Sequence, residues 1–375
     1  MDLNLTDEQR MLRESAERFV SETCTSDYRR RAEHEGFSAQ VWRAMAELGW
    51  LALPLPETYG GHGAGAVETG ILMEAMGRGL MAEPYLATVV LGAGLVAEAG
   101  TDAQKQAILP RVASGEMRLA FAHGERASRD DIRRVGTLAV REGDGWRLDG
   151  DKIAALDAAA ADEVIVSARI GDAAGPLGVF LVTPDTPGVV VADYPRLGGG
   201  RAANIQLRNA HLPAEAHLAG VDEAMPAVEA AIDRALAALG AEAVGMMQVL
   251  LDTTLDYTKV RKQFGRPLAA NQVLRHRLTD MSVQVDEARS MALRAALKAD
   301  AECRERSRAA SGAKAKIGRC ARFVAEQAVQ LHGAMGVTEE LEVGLYFKRL
   351  LAFETLLGST GHHYRRHAEL SAPGR

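Results

Sequence analysis

The apolar residues of this chain change period twice, and that change limits the folds open to it. Up to about residue 116 they recur at helical spacing. Met11, Leu12, Phe19 and Val20 follow a Thr6-Asp7-Glu8-Gln9 capping box, and Trp42, Met45 and Leu48 follow Ser38. A third helix is expected over about 66–76, and a second capping box, Thr101–Gln104, opens a helix ending near Gly115. From about 117 to 222 the period is two. Segments 137–141 and 146–149 flank a Gly-Asp-Gly turn, a hairpin signal, and 162–170, 177–183, 189–192 and 204–208 read as further short strands. From 223 the helical period returns in Ala-rich segments near 223–262, 271–300, 307–332 and 339–368. The expected fold is therefore α+β: an N-terminal helical domain (1–116), a small antiparallel β-barrel or sandwich (117–222) and a C-terminal four-helix bundle (223–375).

The bulk properties exclude several functions. A net charge of −6 and the lack of a long basic run argue against nucleic acid as a partner. Cys24, Cys303 and Cys320 are widely spaced without a C-x-x-C pair, which suits a reducing cytosol and argues against a disulfide framework or zinc site. The first twenty residues have no signal-peptide core, and no apolar run is expected to span a membrane, so the expectation is a soluble cytoplasmic protein.

Two stretches carry more chemistry. In Leu255–Asp280, Tyr257, Val260 and Phe264 share one helical stripe, with Lys259, Arg261 and Lys262 turned away; Phe264-Gly265-Arg266-Pro267 then ends the helix. In Ala328–Glu340, Gly333 and Gly336 interrupt a helical segment, as where something approaches the backbone closely. Taken alone, Arg261 and Phe264 read as a surface arginine and a core phenylalanine. Together, the run Arg261–Leu268 and the run Gln330–Gly336 resemble the C-terminal signature of the acyl-CoA dehydrogenase family, and the Leu53–Gly65 loop resembles that family's Pro-Glu-x-x-Gly-Gly-x-Gly loop. The resemblance covers essentially the whole chain, and comes nearest to the small, base-lacking subunits of heteromeric members such as the pimeloyl-CoA or steroid side-chain type. It implies an oligomeric FAD enzyme that takes two hydrogens from the α and β carbons of an acyl-CoA thioester and passes electrons to an electron-transferring flavoprotein. It also implies that Arg261 lies on the FAD pyrophosphate and Phe264 against the cofactor. Gln330, Gly333 and Gly336 would cradle the adenine half from the neighbouring subunit, with Ala334 where the family has a second glycine.

Elsewhere the chain departs from the family. The flavin-holding Thr-Glu-Pro-x-x-Gly-Ser run corresponds to Ala122–Ser128, with only Ser128 unchanged, and Lys-x-Trp-Ile-Thr corresponds to Lys152-Ile153-Ala154-Ala155-Leu156. That is either drift in a working pocket or a pocket that no longer holds flavin. The family's catalytic base, the glutamate of a Glu-Gly-Thr step, falls at Leu357 when counted from Gln330 and at Gly358 when counted from Arg349. The alternative seat on an earlier helix falls at Ala235. None of these can take a proton, so no catalytic residue is assigned at either seat. Glu354 is the fallback, and Asp233 and Glu242 bracket the other seat. His362, His363 and His367 have the spacing of a ligand pair but no Glu or Cys companions, and a metal is rejected. The expectation is a non-catalytic partner that completes the FAD site of a base-bearing subunit in an α2β2 assembly. The alternatives are a self-sufficient homo-oligomer using Glu354, or a non-redox protein that binds a thioester or a partner.

Overall fold

Two glycines let the longest helix cross its neighbour at backbone contact. The neighbour is α4 (Ala66–Gly79) and the long helix is α7 (Met225–Val260). A Cβ at Gly77 would lie 2.1 Å from the Glu242 carbonyl oxygen, and one at Gly245 would lie 2.0 Å from that of Glu74. This computed structural model describes residues 4–338 and 340–372. Helix α7 is long and apolar enough to cross a membrane, against the expectation of no such run. Yet 78% of its apolar window is buried within the protein, so the apolarity serves the core. Its first half packs with the N-terminal helices and its second half with the C-terminal ones.

The N-terminal part contains α1 (Asp7–Thr23), α2 (Ser26–Glu35), α3 (Ala39–Glu47), α4, α5 (Gly94–Ala99) and α6 (Asp102–Ala113). Both capping boxes form, at Thr6/Gln9 and Thr101/Gln104, and Ser38 caps α3. Helix α2, capped by Thr25, and a π-helical stretch, Leu86–Ala93, had no counterpart among the expected elements. The π-helix is tied to the sheet by Thr88, whose hydroxyl donates to Leu119 O at 2.9 Å.

The middle part is one sheet of β1 (Leu119–Ala122), β2 (Leu138–Glu142), β3 (Gly145–Leu156), β4 (Glu163–Ile170), β5 (Leu177–Val182), β6 (Val189–Pro195) and β7 (Arg201–Leu212). Its order is β1-β4-β2-β3-β7-β6, with β5 also on β4. The expected hairpin is β2–β3. The pairing is mixed rather than wholly antiparallel: β4 runs parallel to β1 and, at its far end, to β2. The whole β2–β3 hairpin lies between β1 and β4 in sequence, so the chain returns to β1 in the same direction.

The C-terminal part departs from four unbroken helices. Helix α7 stops at Val260, short of Phe264. Strands β8 (Lys262–Gln263) and β9 (Arg266–Pro267) then form a hairpin whose turn residues are Phe264 (φ 52°) and Gly265 (φ 78°). Positive φ at both centres is the geometry that a two-residue hairpin requires. Phe264 is consequently 98% exposed, not part of a buried stripe. Helices α8 (Gln272–Leu297) and α9 (Cys303–His332) follow as expected. The fourth segment, whose expected start at residue 339 lies outside the described residues, divides into α10 (Val343–Phe353) and α11 (Thr360–Ser371). Leu357 (φ 56°) and Gly358 (φ 104°) make the break.

Gly245→Ala should lower unfolding stability by about 1–3 kcal/mol in urea titration, because the new methyl meets backbone that cannot step aside. Gly70→Ala, on the same pair of helices but with its new Cβ 3.7 Å from Ala241 Cβ, should instead leave stability unchanged or raise it by up to about 1 kcal/mol.

Candidate active site

A cavity of about 680 Å³ lies where the sheet, the π-helix and the α10–α11 turn meet. Its floor is a buried ion pair. Lys152 Nζ donates to Glu125 Oε1 at 2.7 Å, Ser167 Oγ at 3.1 Å and His123 O at 3.3 Å. Glu125 also accepts from Gly136 N at 2.7 Å, Thr137 N at 3.0 Å and Thr137 Oγ1 at 2.7 Å. Burial pushes the Lys152 amine down to about 8, against the pull of Glu125. For Glu125 burial works upward, but Lys152 and the three donors outweigh it and hold the carboxyl below its usual value. His123 is stacked on Phe121, with Nδ1 2.9 Å from Ser167 Oγ and Nε2 2.8 Å from Ile132 O. Burial first, then Lys152, lowers it to about 4, so it is a neutral imidazole with both nitrogens engaged.

The side chains that the family resemblance assigns to the flavin ring are reduced here. Ala154 and Leu156 line the cavity, Ala154 at a bulge of β3 with φ 54°. They supply apolar wall but no aromatic plate and no hydroxyl. Ser128 does not line the cavity; its hydroxyl donates to Arg134 O and closes its own loop.

Both residues of the C-terminal base seat, Leu357 and Gly358, line the cavity. Their turn is held from below by Lys314, which donates to Phe353 O and, at 2.7 Å, to Leu356 O. His363 Nε2 reaches Leu357 O at 2.9 Å. Ala235 is sealed in the core and is not a wall of the cavity. The fallback acids are committed elsewhere. Glu354 lies off the cavity and pairs with Arg322 at 3.5 Å. Asp233 holds Ser307 at 2.6 Å, Arg306 at 3.2 Å and Arg366 at 3.1 Å, and Glu242 holds Arg349 at 3.0 Å. One acid that sequence reasoning passed over does face the cavity. Asp130 accepts from Ser359 Oγ at 2.6 Å, next to Gly358, and its only sequence cue is its place two residues after Ser128. The histidines are tied into the fold: His363 as above, His367 through Nδ1 on Arg308 O at 2.9 Å, and His362 with its ring edge-on to that of His363 at 5.1 Å.

The other expected site residues gather at one end of the C-terminal helices. The Tyr257 and His332 rings stack at 4.3 Å and bring the β8–β9 hairpin and the glycine loop together. Arg261, Phe264 and Gln330 are exposed there. Gly333 has φ 62° and open space where a Cβ would be, which suits a ligand approaching the backbone, whereas Gly336 is required by packing on Val329 O at 2.8 Å. None of these five lines the cavity.

Two family profiles match, "Acyl-CoA dehydrogenase, N-terminal domain" over residues 6–116 and "Acyl-CoA dehydrogenase, C-terminal domain" over residues 225–370. The chain belongs to the acyl-CoA dehydrogenase family. A probable acyl-CoA dehydrogenase of Bacillus subtilis, YngJ, is 32% identical over 92% of either chain. Butyryl-CoA dehydrogenase from Megasphaera elsdenii superposes with a TM-score of 0.91 at 25% identity, over 98% of this chain and 99% of that one. The ChsE4-ChsE5 complex from Mycobacterium tuberculosis gives 0.88 at 28% identity over 100% of both. This acyl-CoA dehydrogenase is thus an oxidoreductase of an FAD family. When bound, FAD supplies the acceptor for the hydride that leaves the acyl β-carbon. At the exposed end of the helices, Arg261 carries a fork of donors of the kind that suits a phosphate, and Gly333 leaves its backbone open. The cavity walls at Ala154 and Leu156 offer the ring no polar contact.

Burial pushes the Lys314 amine from its ordinary 10.5 down to about 7. Between those values the unfolded acyl-CoA dehydrogenase binds a proton that the folded one has released, so stability rises with pH across that window and this contribution is flat below it. Urea midpoints should show wild type gaining up to about 2 kcal/mol more than Lys314→Met between pH 7 and 9. Parallel profiles would contradict the assignment.

Proposed function

We propose that this chain is the partner lacking the catalytic glutamate in a heteromeric acyl-CoA dehydrogenase, and that it completes the FAD site of a second, base-bearing subunit. One observation carries the reading: the cavity wall at the family's base position is Leu357 and Gly358. Desaturation needs a group that removes the α-proton as hydride leaves Cβ, a contribution of ~10²–10⁴-fold. Glu125 cannot serve, with its oxygens held by Lys152, Thr137 and Gly136, and His123 has both ring nitrogens engaged. The exposed Arg261, Phe264, Gln330 and Gly333 supply what a neighbour's cofactor would meet. The likeness to the ChsE4-ChsE5 complex supports a heteromer.

The assembly in this reading is α2β2, acts in the cytoplasm and reduces an electron-transferring flavoprotein. Its substrate is an acyl-CoA.

Purified alone, the chain should be colourless and inactive with a dye acceptor, and should gain both yellow colour and turnover when co-expressed with a Glu-bearing relative. Arg261→Ala in this chain should then weaken flavin retention by the complex roughly 10–100-fold, the value of a charge-assisted contact. A yellow, active lone chain would reject the reading.

A second reading rests on Asp130, the cavity carboxylate beside Gly358. There the chain is self-sufficient and its base has moved to the loop after β1, not to Glu354. Asp130→Asn would then cost the lone chain at least ~10²-fold in turnover; the first reading leaves no turnover to lose.

A further inference from the structure

Arg196 stands in the cavity wall and makes no ion pair among the described residues. It opens the turn between β6 and β7, where Gly198, Gly199 and Gly200 have φ of 78°, 95° and 74°. The turn is fixed from α10: Arg349 Nη1 donates to Gly199 O at 2.8 Å, and a Cβ at Gly198 would lie 2.4 Å from the Arg349 backbone nitrogen. A Cβ at Gly200 would lie 2.4 Å from Arg196 Nη2, so the last glycine leaves the space that the guanidinium occupies. The arginine is held in place by design of the turn.

Its charge is only partly matched. Nε is sealed from solvent with no hydrogen-bond partner, and the guanidinium makes no ion pair among the described residues. Arg349 adds a second cation, and Glu242, whose field reaches Arg196, is taken up by Arg349 at 3.0 Å. Asp157 is the other acid whose field Arg196 feels; it stands beyond ion-pairing distance and accepts from the Arg201 N–H at 3.4 Å. Around Arg196 the cavity is apolar, with Leu91, Leu156, Ile232, Leu351 and Leu356 among its walls.

We propose that Arg196 is the seat of a carboxylate, and that this cavity takes a medium-chain ligand with an apolar body against Leu91, Ile232 and Leu356 and a carboxylate on the guanidinium. A half-buried cation whose sealed Nε has no hydrogen-bond partner is costly, and the planar fork of arginine matches the two oxygens of a carboxylate. A phosphate fits an apolar-walled cavity that also carries Asp130 less well, although Arg129 lines it too, so phosphate is a control in the test. The inference is independent of whether the chain acts alone or in a heteromer, because binding is read without turnover.

The test is calorimetric titration of the full chain with octanoate, octanamide and inorganic phosphate, with urea midpoints measured alongside. Octanoate should saturate at one site and bind at least tenfold more tightly than octanamide, and phosphate should not displace it. Arg196→Gln should weaken octanoate at least tenfold with octanamide affinity unchanged and cooperative unfolding retained, and Arg196→Lys should fall between the two. Equal affinity for octanoate and octanamide in the wild type would overturn the proposal even if Arg196→Gln fails to fold. So would displacement by phosphate, or a folded Arg196→Gln protein that binds octanoate normally.

Discussion

Helix α7 can serve two cores only because it touches α4 backbone to backbone, and the remaining architecture follows from that contact. With Gly77 on one helix and Gly245 on the other, no side chain separates them at the crossing. The N-terminal helices are thereby drawn against the same helix whose far half anchors α8 and α9. The π-helix is held between α7 and β1, and its Leu91 becomes a cavity wall. The cavity is therefore walled partly by packed elements, and partly by the loop after β1 and the β6–β7 and α10–α11 turns.

Within that frame the electrostatics separate two kinds of charged group. Lys152 and Glu125 neutralise each other beneath the cavity and orient His123 through Ser167. Lys314 has no carboxylate within ion-pairing distance among the described residues and instead takes the carbonyls at the end of α10, where the helix dipole favours a cation. That capture shapes the turn carrying Leu357 and Gly358. Asp130 and Arg196 differ from these, because each presents a charge to the cavity that the surrounding protein does not fully answer.

Much of the architecture was legible in the sequence because hydrophobic period is set by which face is buried. The capping boxes at Thr6 and Thr101 and the β2–β3 hairpin were readable from local chemistry alone. The parallel pairings of β4 depend on long-range return of the chain, which no local period encodes. Phe264 was misread because its apolar side chain continues the stripe of Tyr257 and Val260, while Gly265 allowed a tight hairpin that ends the stripe early. At the site, spacing led to Leu357 and Gly358, and both line the cavity. The engagement of Ser128 by its own loop, the pairing of Glu354 with Arg322 and the approach of Asp130 to Ser359 are contacts between distant segments or hydroxyl orientations, and residue identity does not fix them.

In the proposed assembly this chain's own sheet holds no flavin, while the exposed end of its helices helps a neighbour to hold one. The ratio of FAD to polypeptide in the purified, co-expressed assembly measures this directly, by flavin absorbance after denaturation against total chain. The account predicts one flavin for each pair of unlike chains. One flavin for every chain would contradict it.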